Sequence, residues 1–307
     1  KAFRECASSF GEIGNYLSSV TKDKGFYLLM ALEKSIFGDS CRLFFILLAA
    51  FQLLIIVWMF RKYSEDYWFS IFLFIASTDY ISWTFNGIRQ FTAVVIAYAA
   101  TPFILKKKYI PSILLILLAS TMHQSVLLMI PIIFIIQGKA WNKKTVLCIL
   151  ACLTALLFVD HFTDIMDSML AETQYRNVVS DYKSWNDDGT NPLRVLVYSI
   201  PMILSLIGLK YVQAEDDPMI NTAVGASAIV CGLYVISMVT SGIFLGRLPI
   251  YISLWSQCIL LPWEIKHMFT EKSARLVKII AICCYCVFFY FRCTLHGGFY
   301  KKGKLDD

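Results

Sequence analysis

YIPSILLILLASTMHQSVLLMIPIIFIIQ, residues 109–137, is an apolar run of 29 residues. A bilayer core takes about 20 apolar residues of helix, roughly 17–25, so the run is too long for one simple span. Ser120, Thr121, His123, Gln124 and Ser125 cluster at its middle, and lysines flank both ends: Lys106, Lys107 and Lys108 before it, Lys139, Lys143 and Lys144 after it. Cytoplasmic connections collect Lys and Arg. If both flanks are cytoplasmic, the chain enters and returns as two short helices meeting at His123. A single steep helix would instead strand one lysine cluster on the far side.

Working outward, further apolar runs occupy 43–60, 68–85, 88–105, 145–159, 193–209, 220–240, 247–263 and 276–292. The whole chain of 307 residues is 58% hydrophobic and 16% charged, with mean hydropathy +0.62. Soluble domains average roughly 45–50% apolar and about 25% charged, so a water-soluble enzyme is excluded. The fold expected is all-α: a polytopic integral membrane protein of about ten transmembrane or half-spanning helices. The net charge of +6 comes from short clusters between apolar runs, not from a basic stripe with interleaved aromatics. Nucleic-acid binding is therefore dropped.

The turn at His123 gives a consistent orientation. Arg61, Lys62, the two lysine clusters, Lys210, Lys266, Lys272 and Arg275 then share the cytoplasmic side. The short connections opposite, around Asn86, His123 and Ser241, carry Arg89 and Arg247 at their edges. The expected organisation is an extracytoplasmic amphipathic leader over 1–42, a helical membrane domain over 43–292 and a polar tail over 293–307. Within the membrane domain, a long extracytoplasmic loop over 160–191 carries seven acids, together with Tyr175, Tyr182 and Trp185. Loops of that length are often functional, and aromatic rings with carboxylates suit sugars.

Ionisable groups at membrane depth are costly and mark function by default. Arg89, in Asn86-Gly87-Ile88-Arg89-Gln90, opens a span at the outer interface. Guanidinium forks match phosphate oxygens, and helix starts offer free N–H groups; a headgroup-snorkelling Arg is the plainer alternative. His123 sits at the helix-to-helix turn on the same face, where an imidazole can take a proton from a sugar hydroxyl, although a lone His is more often structural. Arg247, in SGIFLGRLPIYISLW, begins a late span one helical turn before Tyr251. Two arginines and a histidine converging from separate parts of the chain suit a lipid diphosphate leaving group. No nucleotide-binding loop, metal-ligand spacing or hydrolase elbow is present, so neither a metal nor any other cofactor is expected. Cys148 and Cys152, on one helix face, read as packing.

The segment NGIRQFTAVVIAYAATPFILKKKYIPSILLILLASTMHQSVLLMIPI (86–132), with N-x-IRQ, a short basic loop and H-x-S, resembles the core of the EpsG family, which is similar to Wzy-type polymerases of exopolysaccharide, capsule and O-antigen. GRLPIYI (246–252) also fits. The resemblance is strongest over 79–137, fair at 175–182 and 247–251, and weak elsewhere. Family members usually begin with a transmembrane helix and an extracytoplasmic segment, which implies that this chain lacks its natural start. The resemblance implies a bacterial inner-membrane glycosyltransferase, active on its extracytoplasmic face, that uses polyprenyl-diphosphate-linked oligosaccharide rather than nucleotide sugars. Arg89, His123 and Arg247 would be catalytic; Asn86, Gln90, Tyr175, Tyr182 and Tyr251 would contact substrate. The partners implied are the lipid-linked oligosaccharide, the bilayer, and a chain-length regulator and flippase of the same pathway. A lipid-linked oligosaccharide flippase, a polysaccharide O-acyltransferase and an O-antigen ligase are the competing readings.

Overall fold

A computed structural model describes residues 2–170, 189–242 and 244–294, and those residues form helices with no strand among them. Three short helices come first: α1 (Ala2–Glu5), α2 (Ile13–Ser19) and α3 (Lys24–Phe37). Then follow α4 (Cys41–Tyr63), α5 (Tyr67–Ala76), α6 (Asp79–Asn86), α7 (Ile88–Tyr98), α8 (Thr101–Leu105), α9 (Tyr109–Met122) and α10 (Met129–Ile135). The second half contains α11 (Lys143–Leu157), α12 (Val159–Leu170), α13 (Pro192–Ile207), α14 (Leu209–Glu215), α15 (Pro218–Met238), α16 (Ile250–Trp255), α17 (Leu261–His267) and α18 (Glu271–Thr294).

Several helix starts follow from local chemistry. Asp66, Asn142, Asn191 and Asp217 each accept backbone N–H bonds in the first turn of α5, α11, α13 and α15, satisfying donors that a helix start leaves open. Pro192 and Pro218 occupy positions where no donor is needed. Between α16 and α17 the chain stays helical through a π turn at Ser256–Leu260. There the carbonyl of Cys258 receives the Ser70 hydroxyl at 2.5 Å, so the irregular turn fastens α5.

Among the described residues, four helical stretches are long and apolar enough to cross a membrane: Cys41–Tyr63, Ile88–Leu105 (α7 running on into α8), Pro218–Met238 and Glu271–Thr294. The count is six if two bent pairs are each one span: α11 with α12, bent by 106°, and α13 with α14, bent by 77°. With the α5–α6 pair, the two short helices of the 109–137 run and the α16–α17 helix, about ten helices span or half-span the bundle. Outward-facing Leu54, Trp58, Leu114, Leu147, Ile279 and Val287 are exposed; a belt of this kind suits hydrocarbon, not water. The interior is held by the packed core and by scattered polar bonds, such as Gln52 Nε2 to Thr92 Oγ1 at 2.9 Å and Trp255 Nε1 to Thr101 Oγ1 at 3.0 Å.

The 109–137 run goes in and comes back. A continuous helix of that length would separate its ends by about 42 Å at 1.5 Å per residue. Instead Tyr109 donates its hydroxyl hydrogen to Gln137 Oε1 at 2.8 Å, and the helix breaks at His123, which is extended at φ −159°. The lysine-bearing connections meet at that end: Lys139 pairs with Asp216 at 3.1 Å and Lys266 with Glu65 at 2.5 Å. His123 lies at the opposite end, against α3.

The long loop read over 160–191 is helical in its first part. Residues 159–170, VDHFTDIMDSML, alternate acids with apolar positions at helical spacing and form α12, turning sharply off the end of α11 and packing Phe162 and Met166 near Phe244 and Leu245.

Candidate functional site

The end of the bundle opposite the lysines is assembled around the break between α6 and α7. Gly87 makes that corner. A Cβ there would lie 1.7 Å from the Trp83 ring, so only glycine lets the indole fold back against the chain. The guanidinium of Arg247 stands 5.4 Å from the centre of that same ring, a cation–π distance. Gln90, in the first turn of α7, donates to the backbone carbonyl of Arg247 at 3.3 Å. Two motifs 157 residues apart are thus fastened by one side chain.

Arg89, beside Gln90, reaches the other way. Its Nη1 donates to Asp23 Oδ2 at 2.8 Å, and the same oxygen lies 3.4 Å from His123 Nδ1. The Arg89 side chain keeps 42% of its surface exposed whereas Asp23 keeps 4%. The acid is therefore buried and the guanidinium retains a free edge. Tyr27, from α3, faces the Arg89 guanidinium with its ring centre 5.9 Å away. Two residues after His123, the Ser125 hydroxyl and the Tyr251 hydroxyl are 2.6 Å apart, which ties the re-entrant turn to α16. Asn86 is exposed and donates to Ser82 at 3.3 Å within its own helix.

Arg89, His123, Gln90, Arg247 and Tyr251 therefore come to one end of the molecule, with Asn86 at the same corner. Tyr175 and Tyr182 lie outside the described residues. The arrangement offers a half-open guanidinium for an anion, an imidazole whose Nδ1 faces a carboxylate, and a second guanidinium held on an indole. Among the described residues, no three His, Cys, Asp or Glu side chains are arranged to hold a metal ion.

Several members of this end were not legible in the sequence. Asp23 reads there as one acid of an amphipathic leader, because the 66 and 100 residues separating it from Arg89 and His123 carry no pattern. Arg194 and Arg292 stand at the same end as Arg89 and Arg247, two further arginines that the reading of the short connections leaves out. Arg194 Nε donates to Asp79 Oδ2 at 2.8 Å, and Arg292 Nη2 to Asp79 Oδ1 at 3.3 Å. Tyr234 faces the Arg194 guanidinium with its ring centre 5.0 Å away. The rule that finds Arg247, a cation at the start of a span, also finds Arg194 in Asn191-Pro192-Leu193-Arg194; Asp79 is hidden inside a run that reads as a single span. Its position follows from a break, with Thr78 in the left-handed region at φ 62°, that ends α5 and restarts the chain as α6.

A family model described as the EpsG family matches residues 7–301, nearly the full chain. No curated protein and no solved structure matches the chain.

Proposed function

Because the chain belongs to the EpsG family, an assignment that supports a polysaccharide polymerase of the Wzy-like type in the membrane, we propose that it transfers a growing glycan from a polyprenyl diphosphate onto the next lipid-linked repeat unit. The observation that carries this reading is the pairing, at one end of the bundle, of a half-exposed Arg89 with His123 across a single buried carboxylate. A glycosyl transfer of this kind needs those two functions side by side: charge for a leaving diphosphate and a base for an incoming hydroxyl.

The steps follow from the atoms present. Arg89, in the first turn of α7 where backbone N–H groups also face outward, binds and stabilises the diphosphate oxygens as charge develops on them. Arg247 supplies the second cation from its seat on Trp83. His123 Nε2 takes the proton of the acceptor hydroxyl as that oxygen bonds to the anomeric carbon of the donor. The bond from that carbon to the phosphate oxygen breaks, its electron pair leaves with the diphosphate, and the imidazolium afterwards yields its proton to water. Asn86, Tyr175 and Tyr182 contact the sugars, whereas Gln90 and Tyr251, both buried, hold the Arg247 backbone and the re-entrant turn in place behind them. The binding energy comes from lipid, diphosphate and glycan, with no nucleotide and no cofactor.

The site end is extracytoplasmic in the bacterial inner membrane, where the flipped lipid-linked unit is presented by a flippase and a regulator sets chain length. Deleting the gene and sizing the glycans tests the reading. A polymerase mutant leaves single repeat units in place of the long ladder. Full-length chains that have lost an ester, units trapped inside, or polymer left on the carrier lipid would each overturn it. So would a normal ladder from both Arg89→Ala and Arg247→Ala at normal protein level.

A further inference from the structure

Asp23 precedes the first residue of α3, a position where an aspartate ordinarily turns its carboxylate onto the open N–H groups of its own helix. It does not: no side-chain bond caps α3 at Asp23. The carboxylate is turned inward, 4% exposed, and one oxygen receives Arg89 and faces His123 Nδ1. Its other oxygen is buried without a partner. The backbone is held at φ 54°, in the left-handed region that Asp and Asn tolerate best after glycine. Two residues on, Gly25 lies where a Cβ would be 2.1 Å from Thr121 Oγ1, so α3 seats directly on the end of α9 beside His123. A forgone cap, a burial cost and an unusual backbone geometry all converge on one contact.

We propose that Asp23 is the positioning residue of this site: it holds the hydrogen of His123 on Nδ1 and thereby leaves the Nε2 lone pair for the acceptor hydroxyl. The assignment rests on the polymerase reading for what that lone pair does, but the tautomer is a property of the protein alone. An imidazole has one hydrogen to place between two nitrogens, and the partner of one nitrogen decides which carries it. The 3.4 Å separation is long for a bond, as is common before substrate tightens a catalytic pair. Sharing the oxygen with Arg89 couples the two halves of the reaction, because the acid that orients the base also fixes the guanidinium meant for the leaving group.

The test uses the full chain in lipid nanodiscs with ¹⁵N-labelled histidine; only four histidines are present, and His123→Gln identifies the signals of His123. In the wild type the neutral ring is expected to carry its hydrogen on Nδ1; hydrogen on Nε2 overturns the proposal without any variant having to fold. Asp23→Asn, which keeps the shape and tolerates the backbone angle, is expected to move the population toward the Nε2–H form. An unchanged tautomer in that variant overturns the proposal and reduces Asp23 to a tether for α3. In elongation assays with lipid-linked repeat units, Asp23→Asn should lower kcat by about 100-fold, the low end of what a general base contributes. The KM for donor should not rise, since Arg89 keeps its charge and loses a competing carboxylate. Adding His123→Gln to Asp23→Asn should cost little more; multiplying losses overturn the coupling. A wild type with the Nδ1–H tautomer that elongates nothing overturns the polymerase reading and leaves the positioning role of Asp23 standing.

Discussion

Arg194 Nε donates to Asp79 Oδ2 at 2.8 Å, joining α13 to the restart of α6 across 115 residues of chain. Asp79 is 3% exposed, and it also accepts from Arg292 near the end of α18. One buried acid thus fixes three helices around the break at Thr78. Taking an ion pair out of water gains little net energy, but removing one partner leaves an uncompensated charge and costs about 3–5 kcal/mol. Asp79→Asn is therefore expected to lower the apparent melting temperature in detergent sharply. Replacing Asp79, Arg194 and Arg292 together by Leu should recover much of the loss. If Asp79→Asn melts like the wild type, the cluster does not hold these helices.

Gly25 sets how closely α3 approaches the re-entrant turn. With a Cβ 2.1 Å from Thr121 Oγ1 and 2.6 Å from Thr121 Cβ, Gly25→Ala must push α3 outward, carrying Asp23 away from Arg89 and His123. Elongation is expected to fall as it does in Asp23→Asn, at near-normal protein level because the bundle core lies elsewhere. Thr121→Gly in the same chain removes both clashing atoms and should restore part of the activity. Failure of that rescue would mean that Gly25 matters for another reason.

The same geometry explains what a sequence can and cannot tell. Residues 109–137 announce their return path, because length, a polar middle and lysines at both ends are local facts, and Tyr109 and Gln137 do meet. Arg89, His123 and Arg247 stand out since charge inside an apolar run is rare. Asp23 and Asp79 do not. The first sits in an amphipathic leader where an acid is ordinary; the second lies within an apolar run from 68 to 85, and only the break at Thr78 turns it toward Arg194. Spacing along the chain reports which helix face a residue shares, but contacts spanning 66 to 213 residues are set by tertiary packing. Amphipathic α12 was open to reading, as its acids and apolar residues alternate at helical spacing, yet its many acids suggest a solvated loop first.

At the lysine end, the hydrogen bond from Lys266, with help from nearby His267, lowers the Glu65 pKa below its ordinary value of 4.5. A carboxylate with a depressed folded-state pKa contributes stability that is present above its unfolded value and is lost as pH falls through the folded one. Glu65 and Lys266 are 42% and 54% exposed, so the pair is worth at most about 1 kcal/mol. Glu65→Gln should therefore be slightly less stable than the wild type near neutral pH, with the difference closing as pH falls below 4.5. It should also shrink at high salt. A difference that grows on acidification would reverse the sign and remove the pair from the account.

The proposed chemistry requires its end of the bundle to face away from the cytoplasm, and this orientation can be measured independently of activity. Gly11, in the leader just before α2, is exposed, with open space where a Cβ would be; Lys139, in the connection after α10, is 78% exposed. In a chain freed of its ten native cysteines, cysteine at position 11 is expected to react with a membrane-impermeant maleimide added to intact cells, and cysteine at position 139 only after the membrane is opened. The lysine-rich connections drive this expectation, because translocating clustered positive charge is disfavoured, and Arg61, Lys107, Lys139, Lys210 and Lys266 all lie on connections or in the helix turns that border them at one end. Since α3 packs on the end of α9, the leader must share the side of His123. Labelling of position 139 but not 11 in intact cells would invert the molecule. The diphosphate would then meet Arg89 from the cytoplasm, and a polymerase acting on flipped lipid-linked units would be excluded.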